Sequence, residues 1–240
     1  MKLSANDTSN LETILDTCIS FDIDSIIIGE GLIRGVNAAK TCAIISDVNV
    51  PSLPQTLGIS RLKDLNSRLA VFKALKDTTI DAKESDRGEI SSLTISAGRN
   101  KVQFRCTSSM LIKAPKQIND DVLGIVKFSS DESKMILNAI KVMDCKQVVI
   151  AAKADKSVVV EMMDSNNDAF KIDIESQFES DSSTSSVTYY SPSVLKPILQ
   201  ISAVEDRVLE IILGENGTLV TTVNGHAITI LPLVGDGDDE

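Results

Sequence analysis

Residues 131–163, DESKMILNAIKVMDCKQVVIAAKADKSVVVEMM, place one amphipathic helix directly before two strands. Apolar side chains recur at helical spacing and predict a helix over Asp131–Met143. The runs Val148–Ala152 and Val158–Met163 are short and rich in apolar and β-branched residues, which is typical of strands. This stretch therefore indicates an α+β fold in which helices pack on antiparallel sheets.

The same order of elements occurs in both halves of the chain. Three further helices are predicted over Thr8–Ile19, Asp64–Lys76 and Ser191–Gln200, and turns at Gly98 and Gly217 close hairpins. Equivalent helices begin 122 and 127 residues apart and the turns lie 119 residues apart, each close to half of the 240 residues. We therefore expect two similar domains.

Composition suggests where these domains meet. Residues 108–123 include Pro115 and the run Asn119-Asp120-Asp121, which is typical of a linker. The sequence thus predicts a first domain over 1–107, a linker over 108–123 and a second domain over 124–240. Four of the last five residues are acidic, and we expect them to form a solvated tail.

The charge is distributed unevenly along the chain. The formal net charge is -10, which argues against a nucleic-acid partner. Residues 1–120 carry 15 basic and 14 acidic residues, a net of +1, whereas residues 121–240 carry 9 and 20, a net of -11. Because DNA responds to the local potential, the positions of the lysines matter more than the average.

Few features of the sequence support catalysis. The four cysteines are far apart, and the single histidine, His226, lies in an alternating run typical of a strand. The sequence contains no P-loop, dinucleotide fingerprint or nucleophile elbow. No apolar stretch approaches the roughly 18 residues that span a bilayer. We therefore expect a cytoplasmic protein that is not an enzyme, with no cofactor, no metal site and no membrane partner.

The pattern of elements resembles the DNA polymerase sliding clamps, in particular those of tailed phages and, more distantly, proliferating cell nuclear antigen. The stretches that carry the resemblance are Met1–Ser4, Ile45–Val48, Gly58–Leu65, Met135–Val160 and Arg207–Val234 with the acidic tail. The resemblance implies two similar clamp domains, each with antiparallel sheets packed on two helices, and a homotrimeric ring. It also implies a processivity factor that encircles duplex DNA and tethers the replicative polymerase in a phage-infected bacterial cell.

In such a ring the helices line the hole, so basic side chains opposite the buried stripes would contact phosphates without reading sequence. The predicted DNA-facing residues are Lys134, Asn138, Lys141, Arg68, Lys73, Lys76 and Lys196. An ordinary solvated helix face would show the same pattern. The first helix departs from the family, because its exposed face carries Asp16 and no lysine or arginine.

The resemblance also implies a partner site, where a polymerase tail or a clamp loader enters an apolar pocket beside the linker. The residues expected there are Met110, Leu111, Ile112, Pro232, Leu233 and Val234. An exposed apolar cluster rimmed by charge would suit such a site. Ordinary core packing at a strand end would explain each residue equally well.

Ring closure would pair sheet edges, with the strand Phe104–Ile112 of one subunit against Lys171–Phe178 of the next. The expected interface residues are Phe104, Cys106, Ile172, Ile174 and Phe178. The alternative hypothesis is a binding scaffold that shares the clamp fold and does not surround DNA. The acidic balance and the first helix keep that alternative open.

Overall fold

The computed structural model describes residues 2–47, 55–73, 75, 77–115, 117–153, 155–174 and 185–233. Within these ranges the helices are α1 (Ala5–Ser20), α2 (Leu62–Lys73), α3 (Ser130–Met143) and α4 (Pro192–Glu205), with a 3-10 helix at Ser109–Leu111. The strands are β1 (Ser25–Gly29), β2 (Leu32–Val36), β3 (Cys42–Asp47), β4 (Leu57–Ser60), β5 (Thr79–Glu84), β6 (Ile90–Ala97), β7 (Asn100–Arg105), β8 (Val122–Phe128), β9 (Val148–Ala152), β10 (Val158–Met163), β11 (Ala169–Ile174), β12 (Ser186–Tyr190), β13 (Leu209–Gly214), β14 (Leu219–Val223) and β15 (His226–Ile230).

The first compact unit comprises Met1–Gln117 and Val223–Ile228. Its strands form antiparallel sheets in the orders β4-β1-β2-β3 and β5-β6-β7. β15 lies beside β3, where the backbone N–H of Ala227 also donates to Ser46 Oγ at 3.2 Å. Helices α1 and α2 pack together and fill the core with aliphatic side chains.

The second compact unit comprises Ile118–Thr222 and Thr229–Glu240. Its antiparallel strands run in the orders β11-β10-β9-β12 and β8-β13-β14. Helices α3 and α4 pack on each other, α3 also contacts β10 and β11, and α4 contacts β13. Sheets that are buried on one face and open on the other explain the alternating pattern of these strands.

The two units repeat one architecture, as the sequence predicts. The sheet order β4-β1-β2-β3 of the first unit reappears as β12-β9-β10-β11 in the second, and β5-β6-β7 corresponds in chain order to β13-β14-β15. The strand β8, which pairs with β13, also has a counterpart in the first unit. This counterpart is the segment around Lys2, because Lys2 forms an antiparallel bridge with Asp81 of β5, the strand that corresponds to β13. The α+β fold of two similar domains, each with two helices on antiparallel sheets, is therefore confirmed.

The chain first passes from one unit to the other between Gln117 and Ile118. This point lies inside the segment 108–123 that composition marks as a linker. Residues in that segment are partly ordered into elements, since it contains the 3-10 helix and the first residues of β8. The domain limits at 107 and 124 stay a prediction.

Serine capping boxes fix where two of the helices begin. At α1 the Ser4 hydroxyl accepts the Asp7 N–H at 3.1 Å, and the Asp7 carboxylate accepts the Ser4 N–H at 3.2 Å. At α3 the same exchange joins Ser129 and Glu132, at 3.2 and 2.7 Å. Each box satisfies backbone donors that a helix start otherwise leaves open.

Helix α4 extends to Glu205, so the prediction of a short fourth helix ending near Gln200 is wrong. Pro197 lies inside the helix, where a proline costs about 3 kcal/mol. Ile198 and Leu199 directly after it are fully buried, and each such side chain contributes about 1.5–3 kcal/mol. Packing therefore outweighs the local penalty.

The predicted strand Phe104–Ile112 is also wrong beyond its first residues. β7 ends at Arg105, and the N–H of Thr107 donates to the Gly58 carbonyl at 2.9 Å instead of continuing a ladder. Of the predicted partner strand, residues up to Ile174 form β11, and Phe178 lies outside the described residues. In the described part of the chain no helix is long and apolar enough to cross a membrane.

Candidate nucleic-acid interface

The surfaces of α3 and α4 form an open groove of about 450 Å³ in the second unit. Its lining residues are Lys134, Leu137, Asn138, Lys141, Lys196, Gln200, Ala203 and Val204. The structure thus brings together four of the predicted DNA-facing residues, and all four are exposed. They share one side of the helix pair because the apolar stripes on the opposite side are buried in the core.

The three lysines of the groove have different surroundings. Lys134 Nζ lies 3.3 Å from an Asp131 carboxylate oxygen and 3.7 Å from an Asp206 carboxylate oxygen. Lys141 and Lys196 form no ion pair with any of the described residues. The groove can therefore offer the ammonium groups of Lys141 and Lys196 to an anion without breaking an existing pair.

Two of the basic residues predicted to face DNA, Lys73 and Arg68, are engaged within the first unit. Lys73 Nζ lies 2.9 Å from Glu12 Oε2, and this hydrogen bond raises the pKa of Lys73. Arg68 Nη1 donates to the Gln103 carbonyl at 3.1 Å, and its guanidinium lies 5.4 Å from the centre of the Phe104 ring. The helix pair of this unit is therefore a weaker candidate for phosphate contact than the groove of α3 and α4. Lys76 lies outside the described residues.

The exposed face of α1 is as poor in cations as the sequence predicts. Ser9, Asp16 and Ser20 are exposed, and Thr13 is half-buried. The Asp16 carboxylate accepts a hydrogen bond of 2.8 Å from the Asn66 amide of α2. This arrangement leaves a polar surface with a negative charge.

An exposed apolar pair stands on the 3-10 helix of the first unit. Met110 and Leu111 are 86% and 77% exposed, whereas Ile112 is only 8% exposed. Ile112 packs beneath the turn against Gly58. Position 58 has no room for a larger residue, because a Cβ atom there would lie 2.2 Å from the Thr107 carbonyl oxygen. Of the three residues predicted here, only Met110 and Leu111 are available to a partner.

Glu89 holds this turn in place, a role that no sequence motif indicated. One carboxylate oxygen accepts the Ser108 hydroxyl at 2.9 Å, and the other accepts the Ser109 hydroxyl. These bonds lower the pKa of Glu89, Ser109 having the larger effect. A single 3-10 turn is a weak element, so the carboxylate supplies order that the backbone lacks.

The second unit carries an apolar surface of its own. Val187 and Tyr189 of β12 are 61% and 41% exposed, and the N–H of Leu233 donates to the Tyr189 carbonyl at 2.8 Å. Pro232 and Leu233 are half-buried, and Val234 lies outside the described residues. The alternation of exposed and buried side chains along β12 could have identified Val187 and Tyr189, which are not among the site residues predicted from the sequence.

The two strands predicted to meet in a ring both lie at sheet edges. β7 ends the order β5-β6-β7, and β11 ends the order β11-β10-β9-β12. The side chains of Phe104, Ile172 and Ile174 are buried in their own units, and Cys106 is half-buried. A partner would therefore meet the strand backbones and the outward side chains, which are Lys101, Gln103 and Arg105 on β7 and Lys171 and Asp173 on β11.

Other polar groups offer little chemistry. Burial raises the pKa of both Cys18 and Cys42 to about 12, which keeps these thiols protonated. Burial also lowers the pKa of His226. Among the described residues no cluster of three histidine, cysteine, aspartate or glutamate side chains could hold a metal ion.

Comparison with known proteins places this geometry in a structural class. No protein-family model and no curated protein matches the sequence. The structure matches proliferating cell nuclear antigen from Thermococcus kodakaraensis with a TM-score of 0.65 and 12% identity, over 97% of this chain and 99% of that chain. It matches A. fulgidus proliferating cell nuclear antigen, solved with the C-terminal region of FEN-1, with a TM-score of 0.63 and 15% identity over 97% of each chain.

A bacterial clamp has the same fold in a longer chain. The DNA polymerase sliding clamp of Pseudomonas aeruginosa matches with a TM-score of 0.67 and 10% identity, over 100% of this chain and 66% of that chain. The coverage of 97–100% of this chain means that the structural likeness extends over both units. The chain therefore has the fold of the DNA polymerase sliding clamps.

Proposed function

We propose that this protein is a sliding clamp, a processivity factor that encircles duplex DNA and tethers a replicative polymerase. The observation that carries the proposal is the groove of α3 and α4, where Lys141, Lys196 and Asn138 stand exposed on the helices of a clamp fold. Ammonium groups on flexible stems attract phosphates and carry no sequence information. Such contacts suit a protein that must hold DNA and still move along it. A clamp acts by binding, so we propose no catalytic activity.

Ring formation is supported by the internal repeat. β15 is hydrogen-bonded to β3, and by the correspondence of the sheets β7 is the counterpart of β15 and β11 is the counterpart of β3. We infer that β7 of one copy pairs with β11 of the next in the same way. Three copies would then close a ring of six similar domains, which satisfies the open edges.

Met110 and Leu111 are proposed to receive the tail peptide of the polymerase and, in turn, the clamp loader. They form an exposed apolar pair on a turn that Glu89 holds in one conformation. The A. fulgidus clamp was solved with the C-terminal region of FEN-1 bound, which is consistent with a tail-binding role. Pro232 and Leu233, which are half-buried in the second unit, stay a prediction as partner contacts. On the resemblance to phage clamps, we propose the cytoplasm of an infected bacterial cell as the site of action.

Charge reversal in the groove tests the DNA-binding proposal. Lys141→Glu combined with Lys196→Glu should abolish binding to duplex DNA of any sequence and processive synthesis, because the change replaces attraction to phosphates with repulsion. The matched control is Lys153→Glu with Lys156→Glu, two exposed lysines of the same unit in the turn between β9 and β10. Unchanged binding of the groove variant at low salt, where screening is weakest, would refute the proposal.

A scaffold that does not surround DNA is the second candidate function. It is favoured by the net charge of -10 and by two engaged cations of the first unit, since Lys73 pairs with Glu12 and Arg68 donates to the Gln103 carbonyl. In that case the groove variant should retain partner binding and biological activity. The same pair of variants therefore separates the two functions.

A further inference from the structure

The groove of α3 and α4 is not evenly charged along its length. At the end where α3 begins and α4 ends, Lys134 lies between the carboxylates of Asp131 and Asp206. Glu205 and Arg207 at this end pair with each other at 2.9 Å. One cation faces two acids here, so this end has a local excess of negative charge.

The backbone of Asp206 is fixed in this position. It caps α4 in the left-handed conformation, with φ 50° and ψ 47°. The residue after it is anchored twice to Ser202, since the Arg207 N–H donates to the Ser202 carbonyl at 3.2 Å and Ser202 Oγ donates to the Arg207 carbonyl at 2.6 Å. Ser202 is itself fixed in the buried seam between the helices by Ser133 Oγ, at 3.0 Å.

The Asp206 carboxylate stays ionised in this setting. The Ser130 hydroxyl and the Lys134 ammonium lower its pKa, Ser130 having the larger effect. A charged carboxylate on a fixed backbone competes with any phosphate that approaches Lys134. The phosphate would also be repelled by Asp206 itself.

The opposite end of the groove has the reverse balance. Lys141 and Lys196 are exposed there and form no ion pair among the described residues. Lys146 is a further exposed cation just after α3, and Asp144 is the one exposed acid in that connection. The two lysines of the groove, Lys141 and Lys196, against the one acid Asp144 leave this end positive.

We infer that Asp206 is a positioning residue that withholds Lys134 from DNA, so that phosphates are bound at the Lys141 and Lys196 end of the groove. This inference rests on the proposed function and refines it. It divides the three lysines of the groove into two that bind and one that is restrained. The affinity of the groove for DNA is then lower than the number of its lysines suggests.

The test compares single neutral substitutions in the full-length protein, with a labelled duplex of arbitrary sequence as the probe, across a salt series. Lys141→Gln and Lys196→Gln should each weaken binding and reduce the salt slope by about one unit. Lys134→Gln should leave both quantities nearly unchanged. Asp206→Asn should tighten binding by roughly two- to fivefold and steepen the salt slope, because it releases Lys134.

Asparagine is the chosen replacement because it accepts the left-handed conformation of a helix cap, so α4 should end as before. The double variant Asp206→Asn with Lys134→Gln supplies the cross-check. Lys134→Gln should weaken DNA binding only when Asp206→Asn is also present.

Two results would overturn the inference alone. One is that Lys134→Gln, introduced alone, lowers the affinity for DNA as much as Lys141→Gln does. The other is unchanged affinity and slope for Asp206→Asn while Lys141→Gln and Lys196→Gln still weaken binding. If no lysine substitution changes binding, the proposed clamp function fails together with the inference.

Discussion

Glu89 and Ser108 are joined by a hydrogen bond of 2.9 Å from the serine hydroxyl to the carboxylate. The bond connects the residue that precedes β6 to the residue that precedes the exposed 3-10 helix. Because the other carboxylate oxygen accepts the Ser109 hydroxyl, one side chain fixes the start of the turn. An ordered turn has less conformational entropy to lose when a partner binds.

Replacement of Glu89 should therefore weaken partner binding without unfolding the protein. Glu89→Gln keeps the size of the side chain and removes its charge and one of its two accepting oxygens, which weakens the serine contacts, so affinity for the polymerase tail peptide should fall by about fivefold. Isothermal titration calorimetry with that peptide provides the measurement. Asp86→Asn, an exposed acid in the turn before β6, is the control. Equal affinities of the Glu89 variant and the parent protein would contradict the positioning role.

Leu111 and Ile112 should respond differently to the same substitution. Leu111→Glu places a charge on a side chain that is 77% exposed, so it should abolish peptide binding and leave the melting temperature nearly unchanged. Ile112→Glu places a charge in a site that is 8% exposed, so it should destabilise the first unit by about 3 kcal/mol or more. Thermal denaturation and peptide titration of both variants give the comparison. A destabilised Leu111 variant would show that the turn is part of the core.

Asp120 should stabilise the second unit in a pH-dependent way. Its carboxylate accepts hydrogen bonds from Asn216 and Thr218, four in all, at 2.7 to 3.1 Å. Burial raises the pKa of Asp120, but these bonds outweigh burial and the net pKa is lowered. A lowered carboxyl pKa adds stability above the unfolded value of about 3.9, and this stability is lost as the pH falls through the folded value.

Urea denaturation of Asp120→Ala measures this contribution. The variant should lose about 2 kcal/mol near neutral pH, and the difference from the parent should shrink as the pH falls below 4. Asp121→Ala is the control, because Asp121 is exposed and contributes its backbone carbonyl to Glu215 at 2.8 Å. A difference that stays constant down to about pH 2 would contradict the role of the ionised carboxylate.

Assembly should depend on the outward side chains of β7. The parent protein should sediment as three times the chain mass of 25.8 kDa at micromolar concentration. Arg105→Glu puts a negative charge on the edge that is proposed to meet Asp173 of β11, and it should weaken association by about 1 kcal/mol, or roughly fivefold.

Lys83→Glu is the matched control, since Lys83 is an exposed cation on β5 at the other side of the same sheet. Sedimentation velocity over a concentration series distinguishes the variants. A monomeric parent protein, or an Arg105 variant that associates as the parent does, would contradict the proposed pairing of edges.

Local patterns in the sequence predicted the class of the fold and its internal repeat. Helical spacing of apolar residues located all four helices, and the offset between equivalent elements predicted the repeat seen in the sheet orders. The exposed positions of Lys134, Asn138 and Lys141 followed from the same spacing. These features depend on periodicities of 3.6 and 2 residues, which one strand or helix carries by itself.

Predictions failed where a distant residue competes with local preference. Pro197 was expected to limit α4, but burial of Ile198 and Leu199 extends the helix past it. The alternating run after Phe104 was expected to continue as a strand. Instead, the Thr107 N–H donates to the Gly58 carbonyl, and the Ser108 and Ser109 hydroxyls donate to the Glu89 carboxylate. Residues far apart in sequence supply these contacts, so no window of sequence contains them.

The sequence by itself determined the α+β class, the two similar halves and the helix faces that carry lysine, because hydrophobic periodicity is written into each segment. Only the tertiary structure decided which of these lysines form ion pairs. Lys134 meets Asp206 across the seam of α3 and α4, and Lys73 meets Glu12 across α1 and α2. Ion pairing depends on distances of a few ångströms between separate elements, and those distances exist only after the helices have packed.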